Sequence, residues 1–228
     1  MIPWVQLDKT TVPGGGELKL MRRGTEFWIM AGAITLMNSR LSGSEVALAQ
    51  LACGRVRHLP QPRLLIGGLG MGFTLRAAMA ELGPEAGIVV AELVPAVVAW
   101  AKGPMESIFG DCLADPRVEI HVGDVGVLMA ESTGRFDAIL LDVDNGPDGL
   151  TRGANDGLYG LKGLRSAWRA LNSGGVLLIW SAGPDKGFTQ RLAQAGFVAE
   201  EVKVRAHGGK GARHVIWVAT KGAPPAGR

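Results

Sequence analysis

The sequence has few of the residues on which disulfide-bonded and metal-binding proteins depend. Its 228 residues include two cysteines, Cys53 and Cys112, which lie far apart and are too few for a disulfide scaffold. The simplest setting for two such thiols is a reducing cytoplasm. The four histidines have no carboxylate or cysteine at ligand spacing. We therefore expect a cytoplasmic protein that uses neither disulfides nor a metal.

Long apolar runs and a strong excess of charge are also missing. The most apolar run, residues 88–101, is interrupted by Glu92 and Pro95, so we expect no membrane-spanning segment. Residues 1–8 lack the basic-then-apolar pattern of a signal peptide. The 24 basic and 21 acidic side chains leave a net charge of +3, a mild surplus that predicts no nucleic-acid partner.

Glycine, by contrast, is abundant. The chain contains 34 glycines but only 12 prolines, and the glycines follow no collagen-like period. A hydrophobic fraction of 47% with 20% charged residues is typical of a globular chain with a core. The glycines are therefore expected at turns, at helix ends and where the backbone closely approaches another group.

The chain shows two successive patterns of secondary structure. Residues 17–38 read as short strands separated by glycines, followed by a helix that begins near Ser42 and ends at Gly54. Strands then alternate with helices, and residues 197–206 and 213–220 look like a closing antiparallel pair. We predict an α/β fold with a mostly parallel sheet covered by helices on both faces. Residues 1–55 would form a β unit with a connecting helix, and residues 56–228 a Rossmann-like domain.

Four glycines cluster where the first strand of the larger unit meets its first helix. Gly67, Gly68, Gly70 and Gly72 would let the backbone turn tightly against a ligand, and the helix start offers unpaired N–H groups. Glycines also make such turns where no ligand binds, so the motif alone leaves both interpretations open.

Two acidic residues favour the ligand. Glu92 ends the second strand, where its carboxylate can accept hydrogen bonds from both ribose hydroxyls, with Leu93 beside it. Asp124 ends the third strand beside Val125 and could accept a hydrogen bond from an adenine amino group. Either acid could instead cap the following helix. Because the three features follow three consecutive strands, we predict an adenosine-containing ligand.

A family resemblance is carried by five segments in order: RLLIGGLGMGFTLR, VVAELVPAVV, DPRVEIHVGD, FDAILLDVDNGP and LNSGGVLLIW. Over nearly the whole chain the sequence resembles the spermidine synthases, which are aminopropyltransferases. The resemblance implies the seven-stranded methyltransferase sheet with a small N-terminal β appendage, a helix carrying Glu45, and a homodimer.

The chain departs from that family's pattern at three places. Gly70 stands where the family has an aspartate, Asn145 replaces a second acid, and Arg40 lies near where the family has an acidic pair. A dicationic amine needs carboxylates around it, and Arg40 would repel a polyamine. Gly70 would also leave space for the carboxylate of S-adenosylmethionine.

The departures lead to a methyltransferase as the expected function. We expect S-adenosylmethionine as the cofactor and N-methylation of a small-molecule acceptor. Two alternatives stay open: an aminopropyltransferase that uses decarboxylated S-adenosylmethionine, and a non-catalytic subunit that only binds S-adenosylmethionine.

Asp142, at the end of the fourth strand, is the expected catalytic group, because a carboxylate beside the reactive end of the cofactor can orient an amine and receive its proton. Tyr159 could orient the acceptor or simply pack. The polar, glycine-rich stretch 143–157 could form a lid over the acceptor. The expected acceptor contacts are Arg40, Glu45, Asp144, Asn145 and Trp180.

Overall fold

A computed structural model describes residues 2–143, 157–207 and 210–222. Its first part is a four-stranded antiparallel sheet in the order β1-β2-β3-β4. The strands are β1 (Val5–Thr11), β2 (Glu17–Arg23), β3 (Glu26–Ala31) and β4 (Ile34–Asn38). The alternating pattern predicts the last three strands, whereas β1 was not predicted because most of its side chains are exposed and leave no clear apolar alternation.

The second part is a seven-stranded sheet in the order β10-β11-β9-β8-β5-β6-β7. Strands β5 to β9 are parallel, and β10 and β11 close the sheet as an antiparallel pair. The strands are β5 (Arg63–Gly67), β6 (Gly87–Glu92), β7 (Val118–Val122), β8 (Phe136–Leu141), β9 (Leu171–Ser181), β10 (Phe197–His207) and β11 (Lys210–Lys221). The predicted fold class, a Rossmann-like sheet with a small N-terminal β appendage, is therefore confirmed.

Helices cover both faces of the large sheet. They are α1 (Gly43–Val56), α2 (Phe73–Glu81), α3 (Pro95–Lys102), α4 (Glu106–Phe109), α5 (Val125–Ala130), α6 (Leu161–Ala170) and α7 (Lys186–Gln194), with a 3₁₀ turn at Gly110–Leu113. Side chains alternate along each strand between two cores. Ile66 packs with Leu48 of α1 on what we call the α1 face, and Leu65 packs with Leu164 of α6 on the α6 face.

Helix α1 runs past its predicted end at Gly54 to Val56. The apolar face explains the extension, because Ala52, Cys53 and Val56 are buried in the core and the energy of burial outweighs the weak helix propensity of one glycine. The helix packs against α2 and against strands β8 to β11 of the large sheet. The division of the chain into residues 1–55 and 56–228 stays a prediction.

None of the helices in the described ranges is long and apolar enough to cross a membrane. Cys53 and Cys112 are both free and buried. Burial raises the pKa of Cys53 to about 12, so this thiol stays protonated and unreactive.

The parallel arrangement brings the carboxyl ends of β5 to β9 to one edge of the sheet. Gly67 pairs with Ala91 of β6 and with Leu141 of β8, and Leu141 pairs with Ile179 of β9. The residues that follow these pairs along each strand are therefore neighbours in space. This edge is where open α/β sheets bind ligands.

The DPRVEIHVGD segment, one of the most recognisable in the sequence, has a structural role. Arg117 donates two hydrogen bonds to the carboxylate of Asp115, at 3.0 Å each. Its third nitrogen donates to the carbonyls of Met79 and Leu82, at 3.2 and 2.9 Å, where α2 ends. The last carbonyls of a helix have no partner within the helix, so Arg117 supplies one.

Replacing Arg117 with alanine should lower the melting temperature by about 2 to 6 °C, because α2 loses the donor to its final carbonyls. Thermal unfolding followed by circular dichroism would measure the change. Arg57→Ala is the matched control, since Arg57 lies near Glu81 of the same helix but is 64% exposed. An equal drop in melting temperature in both variants would show that the hydrogen bonds from Arg117 to the end of α2 have no special role.

Candidate functional site

The glycine loop between β5 and α2 is shaped by close approaches of the protein to itself. Gly68 has φ of +93°, and a side chain there would overlap the carbonyl oxygen of Asp142. Gly67 packs against Val125, and Gly72 packs against the ring of Phe109. These glycines are therefore needed by protein packing, whether or not a ligand lies beside them.

Gly70, where the spermidine synthase pattern that the sequence resembles has an aspartate, is covered by Met37 of β4. A Cβ atom at Gly70, whose φ is +50°, would lie 2.8 Å from Met37 Cε and 2.9 Å from its Sδ. The Met71 N–H donates to the same sulfur at 3.1 Å. The thioether thus fills the space that the missing aspartate was expected to leave for a cofactor carboxylate.

Glu92 holds the glycine loop to the end of β6. Its side chain is only 7% exposed. One carboxylate oxygen accepts from the Leu69 N–H at 2.9 Å and the other from the Val94 N–H at 2.8 Å. A buried carboxylate beside a loop of backbone N–H groups fits the ribose of an adenosine ligand. The structure therefore brings Glu92 and the glycine loop together, as the sequence predicts.

Asp124 follows β7 and caps α5. Its Oδ1 accepts from the Gly126 N–H at 2.7 Å, which is the capping role that the sequence left open. Val125 is buried against Gly67, and Leu93 is 42% exposed. The adenine contacts of Asp124, Val125 and Leu93 stay predictions, on residues that do lie at the expected edge of the sheet.

Asp142 follows β8 at the centre of this edge. Its backbone N–H donates to the Gly67 carbonyl at 3.0 Å, and its Oδ2 accepts from the Thr74 hydroxyl of α2 at 2.6 Å. Burial and, to a smaller extent, the nearby charge of Glu45 raise the pKa of Asp142 to about 7, against the lowering effect of the Thr74 hydrogen bond. Asp142 is therefore a carboxyl group poised to exchange a proton near neutral pH.

Glu45 reaches the same site from the first turn of α1. Its carboxylate accepts from the Ser44 hydroxyl at 2.7 Å and is close enough to affect Asp142. Within the described ranges, no lysine or arginine forms an ion pair with either carboxylate at 4.0 Å or less. We call Asp142 and Glu45 the acid pair. Two carboxylates that influence each other and have no such ion pair in the described part of the chain favour a cationic ligand.

The surroundings of Arg40 weaken the repulsion of a polyamine that the sequence predicts for it. Its side chain is 71% exposed, and its guanidinium lies 4.0 Å from Glu26, which also binds Arg23 at 2.9 Å. Solvent and Glu26 therefore screen its charge. Repulsion of an amine by Arg40 is correspondingly weak.

Tyr159 is buried on the α6 face, with its ring edge against Phe188 at 5.9 Å. Its hydroxyl donates to the Val143 carbonyl at 3.3 Å, directly after Asp142. It thereby holds the chain that leaves β8, and its catalytic role stays a prediction. Asp144, Asn145 and nearly all of the expected lid 143–157 lie outside the described residues.

His214, which the sequence analysis did not include among the expected site residues, lies beside one of them. Trp180, near the end of β9, stacks on His214 of β11 with ring centroids 4.8 Å apart. Burial lowers the pKa of His214, and the charge of Glu45 opposes that shift, so His214 lies near the acid pair. The available signal was periodicity: His214, Ile216 and Val218 alternate along β11, and the last two face the core.

No group of three or more histidine, cysteine or acidic side chains that could hold a metal ion occurs among the described residues.

Comparisons with known proteins identify the class to which this architecture corresponds. No family model matches the sequence. A polyamine aminopropyltransferase from Nitrosomonas europaea is 30% identical over 125 residues, which cover 55% of this chain and 36% of that protein. The chain therefore matches only about a third of that relative's length.

Solved structures agree in fold. Spermidine synthase from Thermotoga maritima superimposes with a TM-score of 0.73 and 17% identity, over 96% of this chain and 73% of that one. A spermidine synthase in complex with the transition-state analogue AdoDATO gives the same values. A probable spermidine synthase from Corynebacterium glutamicum gives 0.62 with 15% identity, over 93% of this chain and 79% of that one. The predicted resemblance is confirmed: the chain has the spermidine synthase-like form of the methyltransferase fold.

The expected methyl transfer, by contrast, is wrong. The relatives named above are a polyamine aminopropyltransferase and spermidine synthases, which supports the alternative of aminopropyl transfer over methyl transfer. Two physical arguments for methyl transfer also fail, because Met37 fills the space at Gly70 and Glu26 partly neutralises Arg40. Although Gly70 and Asn145 replace two acids of the resembled pattern, Asp142 and Glu45 are retained.

The raised pKa of Asp142 predicts a pH-dependent cost in stability. Because the folded-state pKa, about 7, exceeds the ordinary 3.8, this group stabilises the fold at low pH and loses that contribution as pH rises through 7. Asp142→Asn removes the charge and keeps an acceptor for Thr74. We expect a higher melting temperature than wild type at pH 8, by about 2 to 4 °C for each kcal/mol recovered, and a smaller gain at pH 5, because the cost accumulates as pH rises from the ordinary pKa to the folded-state pKa.

The matched control is Asp137→Asn, at the other end of β8. Asp137 accepts from the Arg63 N–H and from Asn172, at 2.8 and 2.7 Å, so its loss should lower stability at both pH values. Scanning calorimetry at pH 5 and pH 8 would compare the three proteins. A lower melting temperature for Asp142→Asn at pH 8 would contradict the buried-charge argument.

Proposed function

We propose that this protein is an aminopropyltransferase that transfers the aminopropyl group of decarboxylated S-adenosylmethionine to a small amine. The observation that carries the proposal is the acid pair. Asp142 and Glu45 present two carboxylates to one space with no lysine or arginine ion-paired to them among the described residues. A protonated amine supplies the charge that the pair needs.

The donor would bind along the carboxyl edge of the sheet. Glu92 would accept the ribose hydroxyls, Asp124 would lie by the adenine, and the glycine loop would follow the backbone of the ligand between them. The fit is supported by a similar fold whose crystal structure contains AdoDATO, a transition-state analogue. Met37 at Gly70 leaves an apolar thioether where a cofactor carboxylate would need a partner, which favours the decarboxylated donor.

In the proposed reaction the aminopropyl group passes directly from the donor to the acceptor, without a covalent bond to the protein. The acceptor nitrogen forms a bond to the aminopropyl carbon next to sulfur, the carbon–sulfur bond breaks, and sulfur keeps the electron pair as a neutral thioether. The acceptor must lose one proton to expose its lone pair. Asp142, with its pKa near 7, is suited to take that proton, while Thr74 fixes the carboxylate and Glu45 holds the ammonium before transfer.

The remaining properties of the protein follow as proposals. A small-molecule acceptor, a homodimer, a cytoplasmic location and the absence of a nucleic-acid partner are all consistent with such an enzyme. The acceptor roles of Arg40, Asp144 and Asn145 and the lid over residues 143–157 are proposed on sequence alone.

Incubating the purified protein with decarboxylated S-adenosylmethionine and a set of primary amines should release methylthioadenosine, detectable by liquid chromatography. Asp142→Asn should lower kcat by about 100-fold or more, because it can no longer accept the proton. Asp137→Asn, on the same strand outside the site, should keep its activity. Absence of product with every amine would reject the function.

The acid pair also sets the pH dependence of the rate. Activity should fall as pH drops below about 7, where Asp142 becomes protonated. Glu45→Gln removes the neighbouring negative charge, so the pKa of Asp142 falls and the acid limb moves to lower pH. A pH profile of kcat/KM would measure the shift, with exposed Glu106→Gln as the control. An unmoved limb in Glu45→Gln would show that the two carboxylates are not coupled.

A further inference from the structure

We infer that Trp180 and His214 form an acceptor subsite that binds a hydroxyl group, so that the preferred acceptor is an amino alcohol rather than a diamine. This inference rests on the proposed aminopropyl transfer and names the substrate class of the same site. The inference rests on three observations. The two rings lie beside the acid pair, one buried nitrogen in each ring has no hydrogen-bond partner among the described residues, and the charge of Glu45 acts on the same space.

The register of the sheet places the rings beside the acid pair. Leu141 pairs with Ile179, so Asp142 and Trp180 are the next neighbours along β8 and β9. Trp180 pairs in turn with Ile216 of β11, two residues from His214. The alternation of side chains puts these residues on the α1 face, where Trp180 packs against the core and Glu45 reaches down from α1.

Both rings bury a nitrogen that forms no hydrogen bond. Trp180 Nε1 and His214 Nδ1 have essentially no solvent contact, and neither has a partner in the described part of the chain. Such groups cost stability, because water is lost and nothing replaces it. If the rings turn slightly and a ligand group then bonds to these nitrogens, the new hydrogen bonds would offset the stability lost by burying them.

The chemistry of the two nitrogens selects the ligand group. Indole Nε1 is only a donor, so a second ammonium, which also only donates, cannot satisfy it. A carboxylate could accept from it but would be repelled by Glu45, whose charge acts on both Asp142 and His214. A hydroxyl accepts from the indole and can either donate to or accept from the imidazole. The acid pair then binds the ammonium and the ring pair binds the hydroxyl.

Two variants and a matched pair of acceptors test the inference. Trp180→Phe removes the N–H and keeps an aromatic ring, and His214→Phe removes the imidazole nitrogens and keeps the stack. The acceptors are 3-aminopropan-1-ol and propylamine, which differ by the hydroxyl, with 1,3-diaminopropane as the diamine. Trp168→Phe is the control, because Trp168 Nε1 is equally buried and unpartnered among the described residues but lies against the core of the α6 face.

In the wild-type protein we expect the highest kcat/KM for the amino alcohol. Trp180→Phe and His214→Phe should each lower kcat/KM for the amino alcohol by about tenfold, through KM, because a hydrogen bond in a buried site is lost. Both should leave propylamine unchanged, and Trp168→Phe should change neither acceptor. Thermal unfolding of each variant would verify that it is folded.

Three results would overturn the inference: a wild-type preference for the diamine, an equal loss for amino alcohol and propylamine, or the same effect in Trp168→Phe. Each of these requires measurable transfer, so it leaves the proposed function intact. No transfer to any of the three amines would instead count against the function itself. The two failures are therefore distinguishable in one set of assays.

Discussion

The close approach of the glycine loop to the end of β8 is the contact on which the site depends. Gly68 has no side chain, so its backbone lies against the Asp142 carbonyl, and the Asp142 N–H donates to Gly67. That contact brings the start of α2 within reach of the Asp142 carboxylate, where Thr74 binds it. Any side chain at position 68 would push the glycine loop away from Asp142.

Holding two carboxylates together in a half-buried space is costly for the fold. The raised pKa of Asp142 is the measure of that cost, since the ionised form is less stable in the folded protein than in water. Large apolar cores on both faces of the sheet offset it. In the proposed function the same unfavourable charge would supply affinity for an ammonium, and binding of the amine would restore the stability that is given up in the free protein.

The segments that identify the fold and the residues that select a substrate are largely different. Arg117, in the most recognisable segment, closes the end of α2, and the glycines accommodate neighbouring parts of the protein. The proposed acceptor side would instead be formed by Glu45, Trp180 and His214, which come from three separate elements, α1, β9 and β11. Similarity in the first set therefore says little about the acceptor. For the same reason, the space beside Gly70 is filled by Met37, a residue far from the glycine loop in sequence.

Local patterns were enough to predict the order of strands and helices, the two-faced sheet and the edge at which Glu92, Asp124 and Asp142 meet, because alternation and parallel topology follow from nearest-neighbour geometry. They could not predict which side chains from different elements would share a space. Only the tertiary structure puts Met37 over Gly70, pairs Arg40 with Glu26 and stacks His214 on Trp180. The charge balance of a site depends on distances in space, and those distances turned an expected methyl-transfer site into one suited to an amine.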